Sequence, residues 1–231
     1  MSYGILVKNA SGFTQIDSTY DNISSFASGT VARSYVNSSG GHVLNKVPFP
    51  SNTPSDYLIF AKPSAQTSRR QITLWIYSDG FAFYAPYTAT TNFNINYFVG
   101  VRSQDMPTNN SPDYGLEVNK SNGDQAFSSN NPNFRVSAVS FDNLTGLTTG
   151  PSSFPVASMS GVYALMSGKN PIGLSPQGYP AYSVKYSLYQ DFNFSAKTIS
   201  GVIQAVALSA PYLGGTLFGG GFKTNLIGKL R

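Results

Sequence analysis

The chain has 231 residues, no cysteine, a net charge of +5 and only 11% charged residues. The lack of cysteine excludes disulfides, thiolate metal sites and thiol catalysis together, and a chain of this length buries a core without them, as one large β-domain or two small ones. The basic residues are scattered, with Arg69 and Arg70 the only adjacent pair, which argues against a nucleic-acid footprint.

Tyr and Phe number 15 and 16, Gly and Pro 22 and 14, and nine of the ten acidic residues are the poor helix former Asp. That recipe favours strands and turns over long surface helices. The opening MSYGILVKN lacks the basic stretch and long apolar core of a secretory signal. No run approaches about 18 apolar residues, so a cytoplasmically made, soluble chain without a membrane span is expected.

In chain order, apolar or alternating runs bounded by turn residues predict strands over 4–7, 13–16, 30–36, 42–47, 57–61, 71–77, 81–85 and 94–101. ITLWIYSDGFAFYAP reads as a hairpin, its turn at Ser78-Asp79-Gly80 with Asp79-Gly80 suited to positive φ. The polar SQDMPTNNSPD over 103–113 interrupts the pattern and is the linker candidate. Beyond it, strands are expected over 114–118, 134–141, 162–166, 181–194 and 199–208, although 202–208 also fits a short helix. Residues 144–155 and 168–180 read as long loops, suited to binding surfaces or contacts ordered by a neighbour. The Gly-rich segment from Pro211 to the end reads as an arm that lies along another subunit or stays mobile. The fold expected is all-β, built of antiparallel sandwich or barrel-like units. Two are expected, over 1–108 and 109–231.

One motif is written twice. YGILVKNASGFTQIDS from Tyr3 and YGLEVNKSNGDQAFSS from Tyr114 match at Tyr3 and Tyr114, Gly4 and Gly115, Val7 and Val118, and Gly12 and Gly123. Each copy reads as a hairpin whose second glycine takes the left-handed position. These paired hairpins resemble a group of tail proteins of tailed bacteriophages, encoded among the tail-tip and tail-fibre genes. DYLIFAKP over 56–63 and the stretch 94–113, with NYFVGVRS, are similar to the same group. The resemblance runs from Met1 to about Val136. It implies a structural part of the virion tail and brings no catalytic residues.

The chemical candidates are sparse. His42 is the only histidine, and no GxSxG surrounds any serine. Asp105 with Asp113, or Asp17 with Asp21, are the carboxylate pairs a glycosidase would need, but all four sit in turn-like sequence. Gly219 to Gly221 lacks the continuation of a phosphate-binding loop. Two aromatic groups remain: Trp75, Tyr77, Phe81, Phe83, Tyr84 and Tyr87 around one hairpin, and Tyr179, Tyr182, Tyr186 and Tyr189 in the second half. The second group is the candidate interface or receptor-facing set.

The expectation is a non-enzymatic tail-tip, baseplate or fibre component, located in the virion, that uses no cofactor or metal. Its partners would be other tail proteins, further copies of itself with a trimer favoured, and a host-surface receptor or glycan. Two rivals stand beside it: an adhesion module that binds a receptor or glycan directly, and a polysaccharide-degrading tail enzyme.

Overall fold

The computed structural model describes residues 6–8, 14–17, 22–32, 34–35, 45–64, 69–85, 93–107, 115–143, 154–155, 162–166, 172–174, 183–209 and 222–230. The fold is all-β. The first half carries β1 (Leu6–Lys8), β2 (Thr14–Asp17), β3 (Ile23–Ala32), β4 (Ser34–Tyr35), β5 (Val47–Pro48), β6 (Tyr57–Pro63), β7 (Arg70–Tyr77), β8 (Gly80–Ala85) and β9 (Asn94–Arg102). The second carries β10 (Glu117–Asn119), β11 (Gln125–Ser128), β12 (Phe134–Asn143), β13 (Phe154–Pro155), β14 (Val162–Leu165), β15 (Ile172–Leu174), β16 (Ser183–Asn193), β17 (Thr198–Ser209) and β18 (Phe222–Leu230). Among the described residues the only helical element is a single 3-10 turn, Ser103–Asp105, and no helix is long and apolar enough to cross a membrane.

The duplication extends far beyond the two hairpins. β1 and β2 pair with Leu6 opposite Asp17 and Val7 opposite Ile16, then slip between Val7 and Lys8. β10 and β11 pair with Glu117 opposite Ser128 and Val118 opposite Phe127, and slip between Val118 and Asn119. The two hairpins therefore share register and bulge. β3 and β12 keep the same spacing to their hairpins, have the same length, and carry matching irregularities between Ser25 and Ala27 and between Val136 and Ala138. Ile23 of β3 lies opposite Arg102 of β9, as Phe134 of β12 lies opposite Leu230 of β18. On the other side of those partners, Tyr57 lies opposite Val101 and Val162 opposite Lys229. Strand by strand, β3, β6 and β9 thus correspond to β12, β14 and β18. Leu58 is the counterpart of Tyr163, Phe60 of Leu165, and Gly100 of Gly228.

These strands form one antiparallel six-stranded sheet in the order β12-β18-β14-β6-β9-β3, which reads the same in counterparts from either end. At its centre Leu165 lies opposite Phe60 and Ala164 opposite Ala61, and Met166 N–H donates to the Ile59 carbonyl at 2.8 Å. An approximate twofold axis therefore passes through the Phe60–Leu165 pair. The sheet curls until its outer strands meet: Ser24 bridges Asn133 antiparallel, and Ser25 N–H donates to the Pro132 carbonyl at 2.8 Å. That contact joins the outer strands only at their starts and curls the sheet into a partly closed barrel. The same axis leaves the barrel there, between the counterparts Ile23 and Phe134.

Alternation along the strands then builds two cores. Phe60, Phe98 and Phe134 point into the barrel with Ile23, Tyr163 and Leu165 around them. Phe60 stacks on Phe98 at 4.6 Å between centroids and lies 4.3 Å from Phe134. The intervening residues Ile59, Ala61, Ile95, Val99, Val162 and Ala164 face outward, onto Ile72, Leu74, Phe81, Phe83, Phe192 and Ile199 of a second sheet. That eight-stranded sheet runs β13-β17-β16-β7-β8-β4, with β15 on β16 and β5 on β8. Its centre again joins the halves, with Arg70, Gln71 and Ile72 of β7 opposite Phe192, Asp191 and Gln190 of β16. Stretches 1–108 and 109–231 thus contribute strands to both large sheets.

Residues 202–208, where strand and short helix both fitted the sequence, lie within the expected strand as part of β17, paired to β16 along its length, because the tertiary partner decides a run whose period is ambiguous. Two local expectations differ from the structure. The C-terminal segment is no arm over 222–230: β18 lies between β12 and β14 of its own sheet. Among the described residues positive φ occurs at Asn52, Lys197 and Gly123, so Gly80 is required on steric grounds instead. A Cβ there would sit 2.3 Å from the Val47 carbonyl oxygen, where β5 crosses the start of β8.

Candidate functional site

Three strands meet at one mouth of the barrel. Gly100 near the end of β9 lies between Ser25 of β3 and Leu58 of β6. Having no side chain, it lets neighbouring side chains pack onto its backbone: a Cβ would lie 2.8 Å from Ile23 Cγ2, 3.1 Å from Phe60 Cε2 and 3.3 Å from Phe98 Cε2. Beside it is a pocket of about 370 Å³, lined also by Ile23, Leu58, Asp56 and Arg102, at the small end of the range for ligand sites. Leu58 is 39% exposed, although its neighbours Ile59 and Phe60 are fully buried.

The rim is charged and braced. The Arg102 Nε donates to Asp105 Oδ2 at 2.7 Å, and its NH2 lies 3.7 Å from Asp56 Oδ2. Asp105 belongs to the 3-10 turn, which is anchored at Ser103: the Ser103 N–H donates to the Asn22 carbonyl at 2.9 Å, and its hydroxyl shares a hydrogen bond with Ser24 at 2.8 Å. The predicted linker therefore begins as a turn anchored by the buried Ser103, and its Asp105 braces Arg102 in the pocket wall.

Where the first half has Leu58, the second has Tyr163, whose ring meets Phe98 edge-on at 5.1 Å under the Lys62 ammonium at 4.6 Å from its centroid. Burial pushes the Tyr163 hydroxyl pKa up and the Lys62 ammonium pKa down, as expected for a phenol and a cation drawn partly out of water.

The hairpin residues fall as follows. Val118 is buried, Val7 is 39% and Leu116 49% exposed. Gly123 has φ +90 with open space around it, the left-handed turn position expected of it. At Gly115 a Cβ would meet Asn130 Oδ1 at 2.6 Å and Ser129 Oγ at 2.7 Å. The return strands β2 and β11 touch each other. Tyr3, Gly4, Gly12, Tyr114, Tyr179 and Tyr182 lie outside the described residues. Tyr186 and Tyr189 are in β16, their backbones opposite Ala205 and Val202 of β17.

The remaining candidates sort by burial. Phe81 and Phe83 belong to the core between the sheets. Trp75 and Tyr84 pack together on the far face of the second sheet, where burial, with a hydrogen bond to Tyr77, raises the Tyr84 pKa. Their large areas serve packing. Asp105 is engaged by Arg102, while His42, Asp21 and Asp113 lie outside the described residues. Among the described residues no three His, Asp or Glu side chains gather to hold a metal ion.

No protein-family model matches the chain, and neither a curated protein nor a solved structure does. The case for function thus rests on the chain's own geometry. The pocket residues were missed as a site by sequence reasoning, though Asp56 and Leu58 fall within DYLIFAKP, and Gly100 and Arg102 within 94–113. A lone glycine in an apolar strand is the signal that marks such a close approach.

Proposed function

We propose that the protein is a structural component of a bacteriophage tail at its host-facing end, a tail-tip, baseplate or fibre subunit without enzymatic activity. The observation that carries this reading is the duplicated hairpin, on which the family resemblance rests. Both copies share register and bulge, and each offers a half-exposed apolar side chain, Val7 or Leu116, to a neighbour. Backbone ladders shared between the halves give a stiff unit suited to bearing load, and apolar contacts repeated over several copies, a trimer favoured, would supply assembly by multiplicity.

Gold-labelled antibody against the chain, applied to purified virus particles from its source and viewed by electron microscopy, tests the location. Label at the distal tip of the tail is the expected result. Particles whose other tail proteins stain while this one does not would overturn the reading.

A further inference from the structure

The turn of the second hairpin carries a reactive pair. Asn122-Gly123 is the only asparagine followed by glycine in the sequence, and both residues are exposed. The backbone nitrogen of Gly123 can close a five-membered ring on the side-chain amide of Asn122. Glycine leaves that nitrogen unshielded, and nothing lies within 4 Å of where a Cβ would stand. On ring closure Gly123 N bonds to Asn122 Cγ, the Cγ–Nδ2 bond breaks, and the amine leaves as ammonia with the proton from Gly123 N–H. Water then opens the imide at either carbonyl, giving aspartate or isoaspartate, in which the main chain runs through the former side chain. The first hairpin has Ser11-Gly12 at the matching place, and serine offers no amide carbon to attack.

We propose that Asn122 is a self-modification site gated by its own turn: opening of the β10–β11 turn lets the Gly123 nitrogen displace ammonia, and the product keeps the turn from closing again. The closed turn holds every participant. Gly123 N–H donates to the Lys120 carbonyl at 3.0 Å, Asn122 Oδ1 accepts from Asp124 N–H at 3.1 Å, and Asn122 Nδ2 donates to Asp124 Oδ2 at 2.8 Å. Ring closure must break these bonds. Opening is local, because β10 and β11 form a two-stranded sheet of their own, a unit that is marginal without its neighbours. Either product then opposes the closed form. A new carboxylate faces Asp124 Oδ2 where Nδ2 had donated, and isoaspartate also lengthens the backbone within a turn whose register is fixed by the bulge between Val118 and Asn119. The reaction needs no tail location, so this reading and the proposed function fail separately.

The test is peptide mapping by mass spectrometry of the full chain aged in mildly alkaline buffer, folded and in urea, with isoaspartate counted by enzymatic methyl transfer. Conversion of Asn122 is expected to be at least tenfold faster in urea than in the folded chain. Asp124→Ala, at an exposed position, should speed conversion in the folded chain at least threefold and leave the urea rate unchanged. Asp124→Asn, which keeps an acceptor for Nδ2, should restore the protection. Modified chain separated by ion exchange should show hydrogen exchange at the Gly123 amide at least threefold faster than unmodified chain. Should Asp124→Ala fail to fold, the folded and urea rates of the unaltered chain and the exchange of its modified form still decide. Equal rates in the folded chain and in urea, no conversion of Asn122 in urea, a folded Asp124→Ala chain that reacts no faster, an Asp124→Asn chain as fast as Asp124→Ala, or unchanged Gly123 exchange after modification would each overturn the proposal.

Discussion

At Gly100 the missing side chain is the structure. A Cβ would press on Ile23, Phe60 and Phe98, and of these three only Ile23 borders the open pocket, so the two phenylalanine rings are packed on all sides. Gly100→Ala is expected to destabilise the chain by about 1–3 kcal/mol through overpacking, read as a lower urea midpoint at unchanged slope. Gly123 is the contrasting case. Nothing lies within 4 Å of its missing Cβ and φ is +90, so Gly123→Ala should cost only the backbone strain, about 1–2 kcal/mol. The tyrosines set the alkaline limit. Burial raises the pKa values of Tyr57, Tyr97 and Tyr163 above the ordinary 10.0, and burial with the Tyr77 hydrogen bond raises that of Tyr84. A proton held more tightly in the folded state stabilises it fully below pH 10 and is lost above. The tyrosinate absorbance of these four, out of fifteen tyrosines, should therefore appear only together with unfolding, whereas ionisation of all fifteen in the folded chain would contradict the burial.

Among the elements, β6 carries most. Its odd residues Ile59 and Ala61 face the second sheet, while Phe60 faces the barrel interior on the twofold axis. Phe60→Ala would leave a cavity between Phe98 and Phe134 and is expected to cost about 3–5 kcal/mol. Trp75, the only tryptophan, is buried beside Tyr84, and its fluorescence reports the loss. The strand itself was readable from its apolar run at 57–61. β18 was not, because FKTNLIGKL breaks its alternation and includes Gly228. Its place between β12 and β14 depends on hydrogen bonds to residues far away in the chain. The hairpins were readable because their register is local, fixed by turn chemistry within a few residues.

For the whole molecule, the consequence of the duplication is that the two halves share both sheets. A protease site introduced within 108–114 and then cut should leave the halves together, since β6 with β14 and β7 with β16 hold across the cut. The nicked chain is expected to elute at the intact size and to unfold in one transition. Separation of the halves under native conditions would show that the inter-half ladders do not sustain the fold.

Composition and pattern by themselves determined the β class, the strand-rich halves and the repeated hairpin, because short-range turn geometry and side-chain alternation are written in neighbouring residues. Only the tertiary structure decided the rest. Alternation tells a strand which of its sides is apolar but not which strand lies beside it, and beyond the hairpins the two copies keep their backbone pairing with little identity between side chains. The pocket shows the same limit. Ile23, Leu58, Gly100 and Arg102 come from three strands, and they become one site only when β3 and β6 pair on either side of β9.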